Sequence, residues 1–105
     1  MQVDLHIVPP YEVQAHLQSR EIRYWRDKRG HEVDFVLARR KQTPAAIECK
    51  WSSADFEPVA MQAFRRNYPR GDNFVVAHDV ERSYTKSYGE LSVKFVGLAD
   101  LIAKL

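Results

Sequence analysis

Between residues 31 and 51 the chain twice alternates apolar and polar residues around a basic, proline-containing break, a pattern that constrains it to strand, turn, strand. Side chains on a strand point to opposite faces in turn. In His31-Glu32-Val33-Asp34-Phe35-Val36-Leu37 this places the apolar Val33, Phe35 and Leu37 on one face and Asp34 on the other, with Glu32 and Val36. In Ala46-Ile47-Glu48-Cys49-Lys50-Trp51 the same period groups Ile47, Cys49 and Trp51 against Ala46, Glu48 and Lys50. A carboxylate and an ammonium then stand about 7 Å apart along the strand. If the two strands form a hairpin with coincident apolar faces, Asp34, Glu48 and Lys50 converge on the face away from the core.

Two carboxylates about 4 Å apart repel by roughly 4 kcal/mol at an effective dielectric near 20, so rigid strands that hold them together call for a cation. Lys50 supplies one charge. A hard divalent ion such as Mg²⁺ supplies more, being commonly held by one or two carboxylates, water and phosphate oxygens. The competing reading is a solvated pair on the outer face of a half-exposed hairpin, with Lys50 a surface partner worth at most about 1 kcal/mol. Spacing alone leaves both open.

At 105 residues the chain is expected to be one domain, 1–105, able to bury roughly 65% of its unfolded surface without a disulfide or structural metal. Its 45% hydrophobic and 29% charged residues are ordinary for a globular protein and argue against disorder. Cys49 is the single cysteine, which rules out an internal disulfide framework and suits a reducing compartment. No Cys/His spacing suggests zinc, no apolar run approaches a membrane span, and the first residues do not read as a signal peptide, so the expected location is the cytoplasm. A net charge of +2 does not decide a partner. Its distribution is more telling: residues 20–41 carry eight Lys or Arg against four acids, and Arg65, Arg66 and Arg70 cluster later, either as solvated faces or as phosphate-tracking surfaces.

In chain order, residues 1–10 form a lead-in broken by Pro9 and Pro10, and Tyr11 to Leu17 suits a short helix with Glu12 and His16 on one face. Glu21 to Lys28 reads as an edge or half-buried strand, Asp27-Lys28-Arg29-Gly30 as a turn, and Arg39 to Pro44 as the next turn. Ser52 to Asp55 offers N-caps for an amphipathic helix running to Tyr68, with Pro58 in its first turn and Gln62, Arg65 and Arg66 on its polar face. Phe74 to Ala77 is a short strand, His78 to Gly89 a polar loop, Val93 to Val96 a last strand, and Leu98 to Leu105 a C-terminal helix. The crossover through residues 55–69 allows a parallel strand, so the expected class is α/β (α+β), a mixed central sheet flanked by helices.

This αβββαβ order, with Asp34 on the second strand and Glu48-Cys49-Lys50 on the third, resembles the PD-(D/E)xK nuclease superfamily and its restriction-endonuclease-like core. More narrowly, Tyr24-Trp25-Arg26-Asp27-Lys28, Glu32-Val33-Asp34-Phe35-Val36 and Ile47-Glu48-Cys49-Lys50-Trp51-Ser52 resemble the C-terminal nuclease-like domain of bacterial and archaeal AAA+ type ATPases. The likeness extends over about residues 11–105.

The resemblance implies Mg²⁺-dependent (or Mn²⁺-dependent) hydrolysis of DNA, with Asp34, Glu48 and the backbone carbonyl of Cys49 as metal ligands. Lys50 would orient the attacking water and offset phosphorane charge. An additional helix-borne acid is implied, for which Glu12 is the nearest match. Arg39, Arg40, Lys41, Arg65 and Arg66 are candidate phosphate contacts, while Ser52 and Gln62 either line the cleft or serve as helix-start and surface residues. No G-x-x-x-x-G-K-[ST] motif is present, so the chain is not itself the ATPase; it is expected as part of a longer protein or as a lone domain. The alternative function is a non-catalytic nucleic-acid-binding or docking module that meets an ATPase domain in the same or another chain. A homodimer also fits the superfamily.

Overall fold

Asp27 makes the first reversal of the chain. Its Oδ1 accepts from the N–H groups of Arg29 and His31, each at 2.9 Å, and Gly30 takes a φ of 89°. In the computed structural model, which describes residues 21–38 and 43–104, this turn joins the antiparallel strands β1 (Glu21–Arg26) and β2 (Glu32–Ala38). The expected first helix at Tyr11–Leu17 lies outside the described residues.

β3 (Ala45–Lys50) pairs antiparallel with β2, then the chain crosses over and returns as β4 (Asn73–Ala77), parallel to β3. β6 (Leu91–Val96) adds in parallel to β4, and β5 (Tyr84–Tyr88) pairs antiparallel on the outer side of β6. The result is one mixed six-stranded sheet of order β1-β2-β3-β4-β6-β5. β5 overturns the reading of His78 to Gly89 as loop throughout. Four of its five residues are exposed, so the strand has no apolar alternation, and its place comes from the hairpin closed by Gly89 at φ 65°.

The crossover also starts differently from its sequence reading. Ser52 caps only a 3-10 turn at Ser53–Asp55, and helix α1 runs from Val59 to Asn67 with Pro58 as its N-cap. Proline without an N–H fits that first position and separates the turn from the helix. α1 buries Met61, Ala63, Phe64 and Arg65, while α2 (Leu98–Lys104) buries Leu101.

These helices lie on two apolar clusters, one for each face of the sheet. Phe35, Leu37, Ile47, Cys49, Phe74, Val76 and Val96 pack with Leu101 of α2. Val33, Val36, Ala46, Val75, Val93 and Phe95 pack with Met61 and Phe64 of α1. Membership of Val33 corrects the expectation that it shares a face with Phe35 and Leu37. Arg23 pairs with Val36 but Trp25 pairs with Val33, so Tyr24 alone spans both Asp34 and Phe35. This β-bulge in β2 inserts one residue and reverses the alternation beyond it. The face that carries Asp34 and Glu48 is therefore a second core, not a solvated side: the two residues are 8% and 4% exposed.

Candidate active site

The bulge that moves Val33 also frees Asp34 from the ladder. β2 and β3 pair from Leu37↔Ala45 to Phe35↔Ile47 and no further, and at the next step the N–H of Cys49 donates to Asp34 Oδ2 at 2.8 Å. A side-chain oxygen thus takes a backbone donor beside the bulge, fixing the carboxylate against β3. An extended residue directs its N–H and C=O to the same side, so the Cys49 carbonyl also faces β2 and Asp34. Its thiol points into the cluster beneath α2, where burial, first, and the neighbouring carboxylates push it up to about 12. It is a packing group.

Glu48 stands beside Cys49, paired across the parallel ladder with Val75 and turned to the α1 side with Ala46. Burial, chiefly, and the charge of Asp34 raise its carboxyl to about 8, with Lys50 opposing both. The opposition is weak. Lys50 Nζ reaches Glu48 Oε1 only at 3.9 Å, and Glu48 Oε2 is buried with no hydrogen-bond partner. Such an orphaned carboxylate oxygen is costly in a protein interior, by about 1–3 kcal/mol or more, unless it is protonated or meets a cation. Two hard oxygen donors, one of them vacant, suit Mg²⁺ or Mn²⁺ better than a soft metal. Among the described residues no group of three or more His, Cys, Asp or Glu side chains could hold a metal, and the proposed third acid, Glu12, lies outside them.

With this arrangement in view, the comparisons place the chain. A family model described as "Domain of unknown function (DUF4143)" matches residues 11–97. The chain belongs to the DUF4143 family. The match takes in the whole sheet and α1, with Asp34, Glu48 and Lys50, and ends before α2. No curated protein and no solved structure matches the chain. No helix among the described residues of this DUF4143 chain is long and apolar enough to cross a membrane.

The length of β3 separates the acidic site from Arg65 and Arg66 in this DUF4143 chain. Arg65 gives Nε to Asn73 Oδ1 at 2.7 Å, Nη1 to the carbonyls of Tyr68 and Arg70, and Nη2 to those of Pro44 and Asp72. All five donors are used within the protein, which leaves none for a phosphate and corrects its assignment as a nucleic-acid contact. Pro44 and Asp72 immediately precede β3 and β4, whereas Lys50 ends β3, about 20 Å further along the strand. Arg66 is exposed one residue on and borders a groove with Gln62 at that remote end. Arg39, Arg40 and Lys41 lie outside the described residues.

Ser52 is drawn to Asp79, not to the carboxylates. Its hydroxyl donates to Asp79 Oδ2 at 3.0 Å, Ser53 donates through N–H and Oγ, and these bonds hold the Asp79 carboxyl below its usual range. Beside this clamp lies a feature absent from the sequence reading: the rings of Trp51 and His78 meet with centroids 4.3 Å apart and planes tilted by 37°. They follow β3 and β4 in parallel register, and His78 N–H donates to the Trp51 carbonyl at 3.2 Å. Twenty-seven positions of sequence separate Trp51 from His78, and only the parallel pairing of β3 with β4 makes them neighbours.

Proposed function

We propose that this DUF4143 domain is a metal-dependent nuclease that hydrolyses DNA phosphodiesters with Mg²⁺ or Mn²⁺, as the likeness to the PD-(D/E)xK superfamily implies. One observation carries the reading: the buried, unpartnered Glu48 Oε2 beside the Asp34 carboxylate and within reach of an amine. Asp34 and Glu48 would hold the ion, with the Cys49 carbonyl turned to the same side. When bound, the ion lowers the pKa of a coordinated water and offsets charge on the phosphoryl oxygens. Asp34 keeps its orientation through the Cys49 N–H, so ligand geometry is set by the backbone of β3. Lys50, released from Glu48, can direct the attacking water and stabilise the extra negative charge as a new P–O bond forms and the ester P–O bond breaks. The water's proton leaves to solvent, and the departing alkoxide is protonated by water.

The test is calorimetric titration of Mn²⁺ and Mg²⁺ into the wild type and Glu48→Gln, paired with cleavage of supercoiled and branched DNA by the wild type and Lys50→Ala. Binding that requires Glu48 and cleavage that requires Lys50 support the reading. Metal binding indifferent to Glu48, or equal cleavage by both proteins, removes it. A second reading, a non-catalytic docking module for an ATPase domain, is favoured by the Lys50–Glu48 ion pair and by a described site with only two carboxylates. It requires that carboxylate substitutions leave partner binding intact.

A further inference from the structure

We infer that this chain binds the unpaired end of a DNA strand across one end of its sheet, stacking a base on Trp51 and holding the adjoining phosphates with Lys28 and Arg29. The inference deepens the nuclease reading and rests on it for the identity of the polymer.

The strand directions bring these residues together. β2 and β3 are antiparallel, so from the Phe35↔Ile47 pair the chain runs about 13 Å back to His31 and about 13 Å forward to Trp51, toward the same end of the sheet. The β1–β2 turn with Lys28 and Arg29, the C-terminal end of β3 with Lys50 and Trp51, and His78 after β4 thus share the end at which Glu48 lies. The Arg65 hub and Arg66 are at the other end.

The groups at this end suit a flexible polyanion with exposed bases. Trp51 is 57% exposed, and its tilted ring contact with the exposed His78 supports the indole at the sheet end. A supported, accessible indole is a sequence-tolerant platform for an unstacked base. Lys28 and Arg29 are exposed, and neither makes an ion pair among the described residues, whereas the neighbouring Arg26 meets Glu32 at 3.5 Å. The turn beneath them is held by Asp27, which accepts from Arg29 N–H, His31 N–H and the His31 ring. Asp79, the residue after His78, is engaged by Ser52 and Ser53. A duplex keeps its bases stacked inside, so only a single strand or a frayed end can use the indole face while its backbone meets the turn.

The test measures binding without catalysis. Fluorescence anisotropy of end-labelled single-stranded and blunt duplex oligonucleotides is read with the full chain in EDTA. The proteins are the wild type, Trp51→Ala, Trp51→Phe, the double variant Lys28→Ala/Arg29→Ala, and Arg66→Ala. Expected are tighter binding of the single strand than of the duplex, about tenfold loss with Trp51→Ala, and recovery of most of it with Trp51→Phe. The Lys28/Arg29 double variant should show a shallower salt dependence, and Arg66→Ala little change. Equal affinities for Trp51→Ala and wild type, a preference for duplex, or no DNA binding overturns the proposal. Binding through Trp51 without cleavage in Mg²⁺ would remove the nuclease reading alone. Cleavage unaffected by Trp51→Ala would remove this one alone.

Discussion

The backbone N–H of Cys49 donates to Asp34 Oδ2 at 2.8 Å, at the step where β2 and β3 cease to pair. The carboxylate therefore has two duties, satisfying a buried donor and presenting charge to Glu48. Substitutions separate them. Asp34→Ala leaves the donor unmet and is expected to cost about 1–3 kcal/mol in urea denaturation. Asp34→Asn keeps an acceptor, so it should cost less while still abolishing Mn²⁺ binding by calorimetry. Equal destabilisation by both would show that the hydrogen bond contributes nothing.

Glu48 supplies a pH dependence of defined sign. Its folded carboxyl is raised to about 8 from 4.5, so folding takes up a proton between those values. The metal-free wild type is stabilised by this group fully below pH 4.5 and loses that stability as pH rises through 8. Glu48→Gln carries no charge at any pH. It should be more stable than the wild type at pH 9, on the order of 5 kcal/mol, and show no such advantage at pH 4. Thermal denaturation in EDTA across that range checks it; a constant difference would refute the buried-charge account. Saturating Mg²⁺ should favour the wild type selectively and narrow the gap.

In the proposed hydrolysis Lys50 differs from its carboxylate neighbours, since its part there is to act on water and phosphate and not to serve as a ligand. Lys50→Ala is expected to lower cleavage by about 10²-fold or more. Metal binding should persist and tighten, since a cation 3.9 Å from Glu48 Oε1 has been removed. Loss of both binding and cleavage would make Lys50 structural.

The alternation of Phe35, Leu37 and Ile47 was legible because a period of two holds wherever a strand pairs regularly, and the Phe35↔Ile47 pair carries it into the structure. Val33 was misplaced because a bulge is a property of two strands, visible only in the register of Tyr24 against Asp34 and Phe35. The burial of Glu48 was not legible: the α1 side looks polar in β3, where Ala46 is its sole apolar residue, and Met61 and Phe64 cover it from a distant segment. Tyr84–Tyr88 escaped notice because an edge strand with solvent around most of its side chains need not alternate. Arg65 shows the limit most plainly, since an arginine on a helix with basic neighbours reads the same whether it meets phosphate or five protein acceptors.

That hub yields the last expectation. Burial lowers the Arg65 guanidinium to about 10, opposed by Asp72, which still leaves it charged at neutral pH. Its forks bind carbonyls before β3 and before β4, so it fixes the spacing of the two strands that carry Glu48 and Val75. Gly71 completes the fit: a Cβ there would lie 2.0 Å from the Pro44 carbonyl oxygen and 2.9 Å from both Arg65 Nη atoms, and its φ of 135° disfavours side chains in any case. Arg65→Ala, which strands several part-buried acceptors at once, and Gly71→Ala, which pushes the fork apart, should each cost about 3 kcal/mol by urea denaturation. Arg65→Lys should not rescue, because one ammonium cannot span acceptors arranged for a planar five-donor group. Arg66→Ala, exposed beside it, should cost less than about 0.5 kcal/mol. If Arg65→Lys proved as stable as the wild type, charge alone would suffice and the five-bond geometry would be incidental.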